Sequence, residues 1–291
     1  MKIIEPNAMY YYNKGVDTAE PLIALGARVC YASKKSDGIE QLIKFLIEKG
    51  HYSPFAHGIL YYNLSDVEKL DKSTWIYKVI SYALQSVYSP KYYYYDTLVG
   101  IINCRTLIES IVANQKMLDM PEPYTAFKAI LRETKNCTMP MWEDAPFRFK
   151  TVIIDTSLAI ERELERHIGC LFYLNEQSTR YCNFSNGKFG KSVSYCKPSW
   201  FDTASIIKIS EFKNECEQNE QIYFARLNNG WSLDEARKCL SLETATRMMI
   251  TASVFSWEHF FDLRVNQSTG KVDPDMLQIA TMIKNIMNKY D

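Results

Sequence analysis

Charge of one sign in excess is what this sequence most plainly lacks. Its 34 Lys and Arg offset 34 Asp and Glu, for a formal net charge of zero. That balance argues against a general nucleic-acid binder, which normally carries a basic surplus, while leaving room for a local anion site. No apolar run is long enough to cross a bilayer, and the opening MKIIEPNAMYYYNKG holds none of secretory-signal length. The eight cysteines form no C-x-x-C pair, which removes zinc-ribbon and thioredoxin readings. The expectation is a cytoplasmic protein with no membrane or nucleic-acid partner, its thiols reduced and mostly buried.

Histidine is also scarce. The four, His51, His57, His167 and His259, offer no H-E-x-x-H, and His51 and His57 lie either side of Pro54, so they share no helical face. No metal site is expected. The G-x-x-x-x-G-K-[ST], G-x-G-x-x-G and G-x-S-x-G motifs are all missing, so phosphate-loop, dinucleotide-fold and hydrolase-elbow readings have no support. Ser178 could serve as a nucleophile of the Ser-His-Asp type, but nothing in the sequence specifies its base.

What is present is ordinary for a globular protein: 47 % hydrophobic and 23 % charged residues over 291 positions. Apolar spacing predicts helix over 19–50, broken at Lys35 to Gly38 and ended by Gly50. Strand is expected over 58–64, helix over 75–87 and 104–116, strand over 147–155 and helix over 156–168. A short strand follows over 192–196, and the C-terminal third reads as helical over 211–227, 233–240 and 275–287. The stretch 117–146 carries no clear pattern. The tyrosine runs Tyr10 to Tyr12 and Tyr92 to Tyr95 suit either base stacking or strand propensity. The economical organisation is one α+β domain over 1–291 with an elaboration at about 65–145.

The informative segment is Glu161 to Gly190. A helical pattern ends at Arg166-His167, and a short apolar run leads to Asn175-Glu176-Gln177-Ser178-Thr179-Arg180-Tyr181. These are consecutive hydrogen-bonding side chains without a lysine. Buried unpaired, they would cost too much; turned toward a ligand, they suit one with several polar edges, such as a nucleotide. Arg180, Arg237, Arg247 and Arg264 supply planar forks that match phosphate and carbonyl groups, although each could equally pair with an acid.

At these residues the chain resembles the flavin-dependent thymidylate synthases (ThyX). Their signature is R-H-R, then seven residues and a Ser, in a context like N-E-x-S-x-R-Y, which Asn175 to Tyr181 matches closely. Cys182-Asn183-Phe184-Ser185 and Lys188-Phe189-Gly190 look like an extension found in part of that family. Ala27 to Tyr31 and Gly50 to His57 resemble its N-terminal segments, and Glu235 to Leu240 and Thr251 to Arg264 its C-terminal ones. The chain departs at Ile168, where the third residue of R-H-R belongs, and in the nine residues that separate it from Ser178. Ala56 replaces a common acid, and Ser253, Phe255 and His259 stand where Asn, Arg and Asn are frequent.

The resemblance implies a mixed α/β fold, with a curved antiparallel sheet packed on helices, further C-terminal helices, and assembly as a homotetramer. It implies methylation of dUMP to dTMP, with FAD as cofactor and NADPH and methylenetetrahydrofolate as co-substrates. Ser178, Arg180 and Arg264 would serve catalysis and, with Glu163, Glu176, Thr179 and Arg237, bind substrate. His51, Ser53, Arg166, His167, Ser253 and His259 would fall on the flavin. Related alternatives are flavin-dependent C5 modification of another pyrimidine nucleotide, and a non-catalytic nucleotide-binding homologue without FAD.

Overall fold

Local capping chemistry sets where this chain changes from strand to helix. The computed structural model describes residues 1–12, 16–33, 38–138, 145 and 147–290. In chain order the first elements are β1 (Lys2–Ile4), β2 (Asn7–Tyr11), α1 (Val16–Cys30), α2 (Ile39–Glu48), β3 (Ile59–Asn63), α3 (Leu64–Val67) and α4 (Trp75–Gln85). The middle holds β4 (Lys91–Tyr94), β5 (Thr97–Asn103), α5 (Cys104–Asn114), α6 (Pro123–Glu133), β6 (Phe149–Ser157) and α7 (Leu158–Glu165). The rest comprises β7 (Tyr173–Glu176), β8 (Ser194–Cys196), α8 (Ile206–Asn228), α9 (Leu233–Ala236), β9 (Ala245–Ser253), α10 (Val254–Arg264) and α11 (Pro274–Lys289). The α+β class read from the sequence holds.

At four junctions the last residue of a strand caps the helix that follows. Asn63, Asn103, Ser157 and Ser253 each accept a backbone N–H from the first turn of α3, α5, α7 and α10. A short polar side chain in extended backbone satisfies an orphan helix donor there, so the turn needs no separate loop. Helix α2 ends by the opposite device. Gly50 takes φ +68°, its N–H reaches Ile47 O at 3.1 Å, and the His51 N–H reaches Leu46 O at 2.8 Å, the paired bonds of a Schellman cap.

The contacts divide the chain into two compact units. The second comprises Tyr12–Arg28 and Lys34–Thr151. Its three-stranded sheet, in the order β3-β5-β4, is antiparallel, with Ile59 opposite Asn103 and Lys91 opposite Gly100. Ala19, Ile23 and Ala27 of α1, Ile43, Leu46 and Ile47 of α2, and Leu107, Ile108 and Ile111 of α5 fill its core. The spacing that predicted these helices is the stripe they bury. Helix α6, within the stretch that carried no clear pattern, adds Ala126, Phe127 and Ile130. Tyr92 to Tyr94 lie in β4 and Tyr10 and Tyr11 in β2, so these tyrosines are strand residues. The expected break at Lys35 to Asp37 lies outside the described residues.

The first unit comprises Met1–Tyr11, Val29–Ser33 and Val152–Asp291. Its four-stranded sheet has the order β2-β6-β9-β7, with β7 antiparallel to β9 and Tyr173 opposite Thr251. Val152 and Ile154 of β6 and Met248 and Ile250 of β9 pack against Ile160 and Leu164 of α7, Trp257 and Phe260 of α10, and Ile279 and Ile283 of α11. A smaller cluster joins Tyr195 to Phe212 and Tyr223 of α8, beside the parallel pair β1-β8. The expectation of an all-helical C-terminal third is corrected here. Ala245–Ser253 is a strand inside the sheet, buried without a break from Met248 to Ala252. Burial on both faces removes the alternation by which a strand is recognised.

Candidate functional site

The polar strip lies at the edge of the first unit's sheet. Asn175 and Glu176 end β7, and the Gln177 N–H prolongs the pairing to Arg247 O at 2.8 Å. The chain then turns on Ser178. Its N–H donates to Cys30 O at 2.9 Å and its carbonyl accepts from Cys182 N at 2.9 Å, while its Oγ accepts from Arg180 N at 3.3 Å. Asn175 Nδ2 donates to Cys30 Sγ at 3.1 Å, and Lys188 Nζ donates to Tyr31 O at 3.0 Å. The Tyr31 and Tyr181 rings sit 5.3 Å apart. Residues 30 and 31 therefore anchor the strip, which explains why the Ala27 to Tyr31 segment accompanies it.

Beside this turn is a cavity of about 330 Å³ whose charged lining is Glu161 and Arg162 of α7, Glu176 of β7, and Arg237 and Lys238 after α9, with Thr179 between them. Arg237 Nη1 donates to Thr179 Oγ1 at 2.9 Å. Glu176 accepts from Thr246 Oγ1 at 2.7 Å, a diagonal contact across the β7-β9 ladder. Asp234 accepts from Arg180 Nε at 2.9 Å and Nη2 at 3.4 Å, and it also lies 3.7 Å from Arg237 Nε. The structure thus gathers Glu176, Thr179 and Arg237 around one cavity, with Ser178 in the supporting turn and Arg180 tied to Asp234.

The electrostatics are uneven. Burial, then the Glu176 and Glu165 carboxyl groups, push Glu161 up to about 8. Burial also raises Glu176, against the lowering hydrogen bond from Thr246. The cavity lining therefore combines carboxyl groups reluctant to ionise together with three cations, Arg162, Arg237 and Lys238.

A second cluster gathers Glu163, His167 and Arg264. Arg264 Nε donates to His167 Nε2 at 2.6 Å, and Arg264 Nη1 stands 3.8 Å from Glu163 Oε1. His167 Nδ1 lies 2.9 Å from Glu163 O and 3.3 Å from Leu164 O, so the ring carries its proton on Nδ1 and accepts on Nε2. Burial, then the Arg264 charge, lower its pKa and keep it neutral. Arg166, at the C-cap of α7, and His259, on α10, are exposed. Ser253 is engaged in the α10 cap, its Oγ 2.9 Å from Ser256 Oγ. His51 and Ser53 are exposed at the start of a short 3-10 turn in the second unit.

A separate cavity of about 550 Å³ in the first unit is lined by Asp155, Gln177, Thr246, Arg247, Phe184 and Phe189 among others. Arg247 is a strand residue. It lies in β9 and binds Asp155 through two bonds, at 2.6 and 2.9 Å. The residues not singled out by sequence are Asp234, Lys238 and Thr246, together with Glu161 and Arg162 as lining residues. Asp234 lies in the first turn of α9, inside the capping box formed by Ser232 and Glu235. Among the described residues, no group of three or more His, Cys, Asp or Glu is arranged to hold a metal ion. Among the described residues, too, no helix is long and apolar enough to cross a membrane, and all eight cysteines are free.

Comparison with known proteins adds three likenesses. A flavin-dependent thymidylate synthase from Synechocystis sp. is 35 % identical over 74 residues, which is 25 % of this chain and 33 % of that protein. The chain thus spans about a third of the length of this curated relative. A UMP/dUMP methylase, PolB from Streptomyces cacaoi, bound with 5-Br dUMP, superposes with a TM-score of 0.45 at 13 % identity, covering 99 % of this chain and 93 % of that one. The same enzyme bound with 5-Br UMP gives a TM-score of 0.44 at 13 % identity, covering 100 % and 91 %. Residues 125–290 match the family described as thymidylate synthase complementing protein. That match takes in more than half of the 291 residues, and the chain belongs to this family.

Proposed function

We propose that this chain is a flavin-dependent methylase that converts dUMP to dTMP, drawing its carbon from methylenetetrahydrofolate and its electrons from NADPH. The observation that carries the reading is the 330 Å³ cavity in which Arg237 reaches Thr179 of the polar strip beside Glu176. Its volume falls in the range of small-molecule sites, roughly 300–1,000 Å³. Arg237, Arg162 and Lys238 offer donors and positive charge to a phosphate. Glu176, steadied by Thr246, offers an acceptor to a sugar hydroxyl or ring N–H. Ser178 holds the turn that presents Thr179 and Arg180. Arg264, whose Nε donates to a neutral His167, would stabilise negative charge on an electron-rich uracil ring. The assembly that accompanies this reading is a homotetramer.

A flavin dinucleotide is implied by the family, and the exposed residues near α7 and α10 fit one. His259 Nε2 lies 3.9 Å from where a Cβ on Gly169 would stand, next in sequence to the exposed Ile168. A cation, an imidazole and apolar surface thus gather at one turn, and Arg166 and His259 would hold the group. His51 and Ser53 are the contacts the resemblance assigns in the second unit. The chemistry that flavin supplies when bound is hydride delivery.

A second reading, nucleotide binding without flavin, is favoured by one observation. His167 is enclosed by Arg264 and two carbonyls, and Ser253 is spent on a helix cap. Titration with FAD separates the two readings, because the enzyme reading requires uptake. Calorimetry with dUMP tests what they share. Arg237→Ala should weaken binding by about 10- to 100-fold, the worth of a charge-assisted hydrogen bond of roughly 1.5–3 kcal/mol. Absence of dUMP binding would end both readings. Release of tritium from C5-labelled dUMP, with identification of the product, tests the methylation step.

A further inference from the structure

Glu161 is a costly residue where it stands. It is 5 % exposed, it lines the 330 Å³ cavity beside Glu176, and the like charges of Glu165 and Glu176 act on it. A carboxyl placed so raises the free energy of the ionised protein, and glutamine would fill the same space without that penalty. Nothing in the packing of α7 requires it: the helix buries Ile160 and Leu164 in the core, while Glu161 lies on the wall of the cavity. The charged groups around it are Glu165 and Arg162 on its own helix, Glu176 on β7, and Arg237 and Lys238 after α9. The cavity lining therefore combines two acceptors, Glu161 and Glu176, with three cations, Arg162, Arg237 and Lys238. A nucleoside monophosphate has the complementary polarity, hydroxyl donors at the sugar and an anion at the phosphate.

We propose that Glu161 is a specificity-determining residue of this cavity, which with Glu176 accepts hydrogen bonds from the sugar hydroxyl of a bound nucleoside monophosphate. The inference rests on the nucleotide reading above and adds to it the residue that recognises the sugar. Glu161 binds in its protonated form, using its carbonyl oxygen as acceptor while its proton is shared with Glu165. A neutral carboxyl contributes this bond without opposing the nearby phosphate. Because burial and its neighbours raise its pKa to about 8, the group ionises as pH rises through that value. The negative charge then gained repels the anionic ligand, so affinity falls with rising pH.

The test compares dUMP with 2′,3′-dideoxyuridine monophosphate, which lacks the hydroxyl, by calorimetry on the full chain. The unmodified protein should prefer dUMP by about tenfold, the value of one buried hydrogen bond. Glu161→Ala should cut that preference to a few-fold at most, the remainder being what Glu176 alone senses. Glu161→Gln keeps an acceptor oxygen and the fold, so it should retain the preference. The unmodified protein should bind dUMP about three- to fourfold more weakly at pH 8.5 than at pH 7, following the fall in the protonated fraction of a group that titrates near 8. Glu161→Gln should be flat over the same interval, a difference that a purely structural role would not produce. An unchanged dUMP preference in Glu161→Ala, or a Glu161→Gln profile that falls like the unmodified one, overturns the proposal and leaves the nucleotide reading standing. If Glu161→Ala does not fold, the Glu161→Gln profile alone decides. Failure of the unmodified protein to bind dUMP overturns both.

Discussion

Asp234 pairs with two of the arginines that the proposed function would offer to an anion, Arg180 and Arg237. Its carboxylate takes both donors of the Arg180 fork and lies within ion-pair distance of Arg237. The pair is exposed, 56 % for Arg180 and 52 % for Asp234, so its contribution to stability is small, about 0–1 kcal/mol. Its effect on binding is larger, because a phosphate must compete with it for the same guanidinium groups. Asp234→Asn should therefore tighten dUMP binding several-fold at low salt, the gain shrinking as ionic strength rises through the screening range of about 0.1 M. Thermal stability should hardly change. Equal affinities of variant and parent across a salt series would show that Asp234 and the ligand do not compete. At this scale the sequence was informative about the strip and silent about its counter-ions. Asn175 to Tyr181 stands out as a contiguous run of polar side chains. Asp234 lies 54 positions from Arg180 and Thr246 lies 70 from Glu176, and only the folded sheet brings them together.

The helices and strands show the same division. Helices α1, α2, α4 and α5 were legible because each buries one stripe at helical spacing against the second unit's core. Strand β9 was not, since its central residues are buried on both faces and carry methionines that sit as well in a helix. Helix α6 was obscured by the proline- and methionine-containing stretch around it. More regular than either is the cap at each strand-to-helix junction. Asn103 receives the Thr106 N–H at 2.9 Å and the Thr106 hydroxyl at 3.2 Å, both buried. Asn103→Ala leaves these donors unpaired in the core and should cost about 2 kcal/mol, the upper end for cap loss. Ser253→Ala, at a part-buried cap, should cost nearer 1 kcal/mol. Urea denaturation measures both, and the order of the two losses is the discriminating result. Ser253→Ala costing more would mean that its hydroxyl supports something beyond the α10 cap, the flavin contact being the foremost candidate.

For the whole molecule, the proposed homotetramer makes a demand on the surface of the first unit. Ile168 and Leu171 are 80 % and 69 % exposed, on the turn that follows Arg166-His167 where this chain departs from the family signature. Leu171 adopts φ +47°, an unfavourable conformation for a branched side chain, which turns it outward rather than into the adjacent cluster of Cys170, Trp257 and Phe260. Two large apolar groups held out at the end of a helix cost solubility in a chain with no net charge, whose isoelectric point is about 6.9. They gain if another subunit covers them. Sedimentation equilibrium should therefore return a mass four times the 33.8 kDa of one chain. Ile168→Glu with Leu171→Glu should shift that mass toward smaller species, because each charge would have to be desolvated in the interface. Both side chains lie outside the core, so the folded chain should survive, as judged by an unchanged far-ultraviolet circular dichroism spectrum. If the sites also draw on a neighbouring subunit, flavin uptake should fall with the mass. A tetramer that tolerates both charges would instead place its contacts elsewhere and leave this turn to the cofactor alone.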